Sequence, residues 1–130
     1  MREILFRGKT DKGEWVQGVP FFEEERCYII EDLFICDEYD CTGAVNTMVI
    51  PETIGQYTGL TDKNGTKIFE GDIVKRTFGE FTRIYQVIFD VELFCFIAKR
   101  NNGFSTLDDA FEVIGNIHDN PELIGGADND

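Results

Sequence analysis

Turn signals recur along this chain at intervals too short for helices of ordinary length. They occur at Asp11-Lys12-Gly13, Asn64-Gly65, Gly71-Asp72, Gly79 and Asn102-Gly103. The segments between them are rich in β-branched and aromatic residues, and they almost lack the apolar periodicity of an amphipathic helix. Such spacing is typical of short antiparallel strands joined by tight turns. The sequence therefore predicts a mainly β fold with few short helical turns.

The strongest hairpin signal is Asn64-Gly65, because these residues accept the positive φ angles of a type I′ turn. The turns that follow it predict a small SH3-like or partly open barrel over residues 66–117. Asp11-Lys12-Gly13 separates two strand-like segments and predicts an N-terminal β-hairpin region. A chain of 130 residues is long enough for a single domain, residues 1–130, with its own core. Its expected parts are an N-terminal β region over 1–60, a C-terminal barrel over 61–124 and a frayed tail over 125–130.

Apolar side chains that alternate or cluster along these segments predict the core. Residues 93–98 are apolar on both faces, which predicts a central strand. A strand of this kind needs cover on both sides, and a homo-oligomer is one way to supply it. The predicted buried residues are Ile4, Phe6, Trp15, Ile68, Phe69, Ile73, Val87, Phe89, Phe94, Phe96, Val113 and Ile117.

The formal net charge is −13, and the acidic excess lies in two blocks. Residues 23–40 carry eight acidic side chains and one Arg, and residues 108–130 carry seven and no Lys or Arg. Such blocks have three interpretations: a solvated face that maintains solubility, a docking face for a basic partner, or a mimic of nucleic-acid charge. Direct binding to DNA or RNA is not expected, because it needs a basic surface. The candidate docking residues are Glu23, Glu24, Glu25, Asp37, Glu38 and Asp40.

The four cysteines, at positions 27, 36, 41 and 95, do not form the two close pairs that are typical of a zinc site. We expect small buried thiols and no bound metal. No apolar stretch is long enough to span a membrane, and the first residues lack the apolar core of a secretory signal. These features predict a cytoplasmic protein with reduced thiols and no membrane partner.

Residues able to carry out catalysis are few. The chain has one His, no phosphate-binding Gly loop and no Ser in a nucleophile elbow. We therefore expect neither an enzyme nor a bound cofactor. One basic and aromatic set could instead line a pocket for an anionic nucleotide, since Arg and aromatic rings together recognise phosphates and bases. Its members are Arg76, Arg83, Tyr85 and Arg100.

Several segments carry a resemblance that covers both ends and the middle of the chain. The strongest is Ile50-Pro51-Glu52-Thr53-Ile54-Gly55-Gln56-Tyr57-Thr58-Gly59-Leu60-Thr61-Asp62-Lys63-Asn64-Gly65, continuing through Lys67–Lys75. The opening, Arg2–Lys9 with Gly13–Gly18, and the end, Phe111–Ile117 with Asn120–Leu123, also contribute. Together these segments resemble the YopX-like family of phage and prophage proteins. Residues 19–49 and 77–110 depart from that pattern, and the first acidic block lies there.

The resemblance implies a compact protein, encoded by a phage or prophage, that acts in the cytoplasm of a bacterial host cell. It brings no catalytic residue, and its recurrent positions have structural explanations in this sequence. Gly59, Gly65 and Gly71 are expected at turns, with Asn64 and Asp72 beside them, and Pro51 is expected to end a strand.

Three functions follow from these observations. The leading hypothesis is a non-enzymatic accessory protein that binds a host or phage protein. The alternative is a phage counter-defence protein, which is either an acidic mimic that inhibits a nucleic-acid-binding host factor or a sequestering binder of a nucleotide signal. An enzyme has the least support.

Overall fold

A computed structural model of the chain describes residues 4–35 and 42–124, with side chains for 4–31 and 45–124. The described part is almost entirely β, which confirms the predicted fold class. A 3₁₀ turn at Pro121–Leu123 follows the last strand. The strands are β1 (Phe6–Lys9), β2 (Trp15–Glu23), β3 (Arg26–Ile35), β4 (Thr42–Thr61), β5 (Lys67–Phe69), β6 (Asp72–Phe78), β7 (Phe81–Asp90), β8 (Cys95–Arg100), β9 (Gly103–Thr106) and β10 (Glu112–Asn116).

The chain divides into two compact units, residues 1–56 and 57–130. In the first unit, β1 and β2 form the expected hairpin, and β2, β3 and β4 continue the antiparallel sheet. β4 also pairs with β1, so these four strands close into a ring. The side chains on the inner side of the ring form the core of this unit: Cys27, Ile29 and Val49, with Phe6, Val16 and Ile54 against them.

The second unit contains an open antiparallel sheet in the order β10-β6-β7-β8-β9. β5 pairs with the last residues of β4. The sheet has β10 and β9 at its edges, so the partly open form of the predicted barrel describes it better than a closed one. Its core consists of Ile68, Val74, Tyr85, Val87, Ala98, Leu107 and Phe111, with Phe96 and Val113 packed against them.

The prediction for Pro51 is wrong, because β4 continues through this residue. The pairing of β4 with β1 is irregular here: Lys9 faces Ile50, and Arg7 faces Gly55. Within this irregularity, Thr53 Oγ1 accepts a hydrogen bond from Lys9 N at 2.8 Å and donates one to Ile50 O at 2.6 Å. The Thr side chain therefore replaces part of the regular ladder, and a residue without an N–H fits where pairing is interrupted.

Gly59 also lies within β4 rather than in a turn between elements. It falls between the pairs Tyr57–Phe69 and Thr61–Lys67, where the register shifts, and its φ is +90°. A β-bulge with a positive φ favours Gly, which explains the residue without a chain reversal.

Three residues of the predicted core are exposed. The side chain of Phe94 is 83% exposed, and those of Ile4 and Phe89 are also accessible. Residues 91–94 form a turn, and β8 begins only at Cys95. The Asp90 carboxylate accepts hydrogen bonds from the N–H groups of Glu92 and Leu93, which stabilises this turn. The apolar run thus begins as a turn and becomes a strand.

The other predicted core residues are buried or half-buried. Ile68, Phe69, Ile73 and Val87 are buried, and Phe6, Trp15, Phe96, Val113 and Ile117 are half-buried. Ile97 and Ala98 are also buried within the chain itself. Cover from a second copy is therefore not required for this part of β8.

Candidate functional site

Arg76, Arg83, Tyr85 and Arg100 lie at one end of the β6–β7–β8 sheet. Arg76 pairs directly with Arg83, and Val74 pairs with Tyr85, so these side chains share one face. The guanidinium carbon of Arg100 lies 6.0 Å from the centre of the Tyr85 ring. The structure therefore brings together all four residues that were predicted as a ligand pocket. We call this set the arginine face.

Guanidinium groups of the arginine face lie close to the neighbouring aromatic rings. The guanidinium carbon of Arg76 lies 5.3 Å from the Phe78 ring centre and 5.4 Å from that of Phe111, and that of Arg83 lies 5.7 Å from Phe78. These distances are within the range of cation–π attraction. Tyr85 is buried and meets Phe111 edge to face at 5.4 Å. Its ring therefore belongs to the core, and the accessible part of the face is formed by the arginines and Phe78.

The three arginines differ in their charge partners. Arg76 forms a salt bridge with Asp108, with 3.2 Å between Nη1 and Oδ2. Among the residues that the structure describes, neither Arg83 nor Arg100 forms a salt bridge. Within the described ranges, two cationic groups at this end of the sheet thus have no carboxylate partner.

The opposite face of the same sheet contains a half-open groove with a volume of about 250 Å³. Gln86 and Lys99, which both line it, are a cross-strand pair. Isoleucines supply most of the apolar lining, and Lys, Arg, Gln and Asn supply polar groups. The lining residues are Ile84, Gln86, Ile88, Lys99, Arg100, Asn101 and Ile124.

The predicted acidic docking residues lie at the β2–β3 turn of the first unit, as far as they are described. Glu23, Glu24 and Glu25 are consecutive and exposed. Asp37, Glu38 and Asp40 lie outside the described residues. Arg26 is the cross-strand partner of Glu23 and is also exposed.

Beside these glutamates lies an apolar surface on the outer side of the ring, opposite the Cys27–Ile29 core. Phe21 and Tyr28 stack with their ring centres 5.0 Å apart and their planes at 15°. Val19 and Met48 are 54% and 53% exposed. The cross-strand pairs place all members on one side of β2, β3 and β4. We call this surface the outer face; its members are Val19, Phe21, Tyr28, Ile30 and Met48.

Two of the turns predicted from the sequence are stabilised by hydrogen bonds from backbone N–H groups to Asp side chains. Asp62 Oδ1 accepts hydrogen bonds from the N–H groups of Asn64 and Thr66, both at 2.9 Å. Gly65 follows with φ +83°. Burial raises the pKa of Asp62, but the N–H donors of Val113, Thr66 and Asn64 lower it more, and the net pKa lies below its usual value. Asp72, just after Gly71, likewise accepts a bond from Phe69 N at 2.7 Å.

Two cysteines fall within the described residues. Cys27 is buried in the first unit, and burial raises the pKa of its thiol. Cys95 is exposed at the start of β8. Across 4–35 and 42–124, no group of three His, Cys, Asp or Glu side chains is placed to hold a metal ion. Cys36 and Cys41 lie outside these ranges.

The comparison with protein families decides what the chain belongs to. The family model described as YopX protein matches residues 5–125, which is nearly the whole sequence. The chain belongs to the YopX family. The resemblance found in the sequence is thereby confirmed, and membership supports a protein of phage type.

A solved member of the same fold is the crystal structure of protein EF1440 from Enterococcus faecalis. It is similar to this YopX-family chain with a TM-score of 0.66 and 26% identity, over 95% of this chain and 99% of the other. No curated protein matches the chain. Within the described residues, no helix is long and apolar enough to cross a membrane.

Sequence reasoning missed the two surfaces of this YopX-family chain that depend on cross-strand register. The outer face combines residues from three strands, and the groove combines β7 and β8 with Ile124. The alternation of Ile84, Gln86 and Ile88 was a usable signal, since it indicates one half-apolar strand face. The position of Ile124 had no comparable signal.

Proposed function

We propose that this phage-type protein is a non-enzymatic accessory protein that binds a basic protein partner through its outer face. The observation that carries the proposal is the exposure of Val19 and Met48 beside the stacked pair Phe21–Tyr28. Single exposed apolar side chains are ordinary on a protein surface. A contiguous group across three strands is typical of an interaction site.

The charge around the outer face indicates which partner it suits. Glu23, Glu24 and Glu25 lie at the turn that follows Phe21 and Phe22, and all three are exposed. A partner with Lys or Arg beside apolar side chains would pair with these carboxylates while covering the apolar group. A second copy of this chain carries the same glutamates and a net charge of −13, so it is the less favourable occupant.

The counter-defence alternative can use the same surface. A host protein that binds nucleic acid presents a basic surface, and the three glutamates would meet it as phosphates do. The partner would then be a nucleic-acid-binding host factor rather than another basic protein. Identifying the partner separates these two forms of the proposal.

The experiment is a comparative capture from extracts of infected bacteria. The immobilised native chain is compared with a Val19→Asp/Met48→Asp variant and with a matched control, Val91→Asp, which alters an exposed apolar residue of the second unit. We expect a basic protein that native chain and control retain and that the outer-face variant loses. A partner retained equally by all three would contradict the proposal.

Kinetics with the purified partner then test the role of charge. Substituting Glu23, Glu24 and Glu25 together by Gln should slow association, since charges at an interface rim act mainly on the encounter rate. The association of the native chain should slow as salt is added, and that of the variant should respond less. The thermal midpoint should stay unchanged, because exposed charges contribute little to stability. An unchanged association rate would exclude this part of the proposal.

A further inference from the structure

The groove on the β7–β8 face is lined by both cationic and apolar residues. Ile84 and Ile88 lie two residues on either side of Gln86 along β7, and they share its face. Lys99 is the cross-strand partner of Gln86 and shares its face, whereas Arg100, the next residue, lies on the face of Tyr85. Ile124, which follows the 3₁₀ turn, also lines the groove. Every residue of this site belongs to the second unit.

Charge distinguishes this groove from the rest of an acidic protein. Among the described residues, its lining includes two cationic residues and no carboxylate; Lys99 projects to the groove face, whereas the side chain of Arg100 lies against Tyr85 on the other face. Within the described parts of the chain, neither Lys99 nor Arg100 has a salt-bridge partner. Lys75 and Arg76, by contrast, are paired with Glu112 and Asp108. Among the described residues, none neutralises the positive charge of Lys99.

We propose that this groove binds a compact organic anion, with its carboxylate or phosphate at Lys99 and its apolar part against the isoleucines. The volume of about 250 Å³ lies just below the usual range of pockets for drug-sized molecules, about 300–1,000 Å³, which limits the ligand to a small one. Gln86 adds a side-chain amide that can donate to or accept from the ligand.

The net charge of −13 does not argue against such a ligand. Charges farther away than about 8 Å are largely screened at physiological salt, so a small anion in the groove interacts mainly with Lys99. A long polyanion also has to pass the acidic blocks, which oppose it along its length. The groove thus selects small anions over nucleic acids.

The test is a titration of ¹⁵N-labelled protein followed by NMR, with phenyl phosphate as the probe. Benzyl alcohol supplies the ring without the charge, and inorganic phosphate supplies the charge without the ring. We expect phenyl phosphate to bind more tightly than either, with amide shifts concentrated at Gln86 and residues 99–101. Added sodium chloride should weaken its binding to the native protein.

Two substitutions separate the charged part of the site from the apolar part. Lys99→Gln should weaken phenyl phosphate by about tenfold, the usual effect of losing one charge-assisted contact. Ile124→Ser should weaken phenyl phosphate and leave inorganic phosphate unchanged. Lys12→Gln is the matched control, since it removes an exposed Lys from a turn of the first unit.

Several outcomes would overturn the proposal. They are equal binding of benzyl alcohol, shifts spread away from the groove, no shifts at millimolar probe, or equal effects of Lys99→Gln and Lys12→Gln. The spectral dispersion of each variant verifies that it is folded. If Lys99→Gln fails to fold, the salt dependence and the comparison of the three probes on native protein still test whether the groove binds an organic anion.

Discussion

Oδ2 of Asp62 accepts a hydrogen bond from the backbone N–H of Val113 at 2.9 Å, and so ties the turn after β4 to β10. The two residues are 51 positions apart in the sequence. Asp62 is 4% exposed, and its other oxygen holds the N–H groups of Asn64 and Thr66. One carboxylate therefore fixes a local turn and a distant strand together.

Replacing Asp62 by Ala should destabilise the protein by about 1–3 kcal/mol, because three backbone donors lose their acceptor. Chemical denaturation followed by fluorescence measures the change in unfolding free energy. Asp11→Ala is the control, since Asp11 is exposed in the turn between β1 and β2. Its effect should stay within about 0.5 kcal/mol. Similar values for the two variants would show that the three hydrogen bonds to the Asp62 carboxylate contribute nothing to stability.

The same carboxylate should make stability depend on pH in the acid range. The pKa of Asp62 is lowered in the folded protein, so its stabilisation is present above the unfolded Asp value, about 3.9, and is lost as pH falls through the folded pKa. Asp62→Asn lacks this titration. We expect a constant difference in unfolding free energy between native protein and variant from about pH 7 to 5, and a narrowing below about pH 4. A difference that already narrows between about pH 7 and 5 would contradict the lowered pKa.

Two phenylalanines that look alike in the sequence should respond oppositely to truncation. Phe69 is 2% exposed and packs on Tyr57 with ring centres 5.6 Å apart. Phe69→Ala should therefore cost about 3–5 kcal/mol. Phe94 lies in an exposed turn, so Phe94→Ala should change stability by less than about 0.5 kcal/mol. Denaturation midpoints measured side by side check both values, and a comparable loss for both would mean that Phe94 is enclosed.

The different positions of these two rings show where sequence reasoning succeeds and where it fails. The Asn64-Gly65 turn is dictated by local backbone preferences, so it could be predicted from the residues alone. The turn at residues 91–94 depends on the Asp90 carboxylate, which caps an apolar run that has the composition of a strand. Local composition cannot distinguish a strand from a turn that is stabilised in this way.

The candidate surfaces also differ in whether the sequence could predict them. Arg76, Arg83 and Tyr85 could be grouped in advance, because a tight turn near Gly79 brings alternate residues of two adjacent strands to one face. The outer face depends on the register of β2, β3 and β4. The groove depends on the register of β7 and β8 and on the position of Ile124. Such register is set by the whole sheet, and a reading of single segments does not supply it.

The ring of the first unit leaves little room beside Gly8. A Cβ at this position would lie 2.8 Å from Val49 Cγ2 and 3.0 Å from Ile54 Cδ1. Gly8→Ala should therefore overpack the core of this unit and cost about 1–3 kcal/mol. Gly103→Ala is the control, because a Cβ at that position would meet no atom within 4 Å. Thermal unfolding of the two variants provides the comparison. Equal midpoints would mean that the ring of strands β1–β4 accommodates the added methyl group without strain.

Direct binding to DNA or RNA is expected to be absent at physiological salt. Non-specific affinity comes from counterions released when Lys and Arg contact phosphates, and the two acidic blocks oppose it. A gel shift with the native protein at roughly 10 µM should show no complex with single- or double-stranded DNA, since this lies within the usual range of non-specific dissociation constants. A complex that Arg83→Ala removes would overturn the charge argument and assign binding to the arginine face. Glu80→Gln, in the turn between β6 and β7, is a second variant, which should favour nucleic-acid binding if any occurs. It removes one negative charge from the turn that precedes Arg83, and we expect that it too forms no complex.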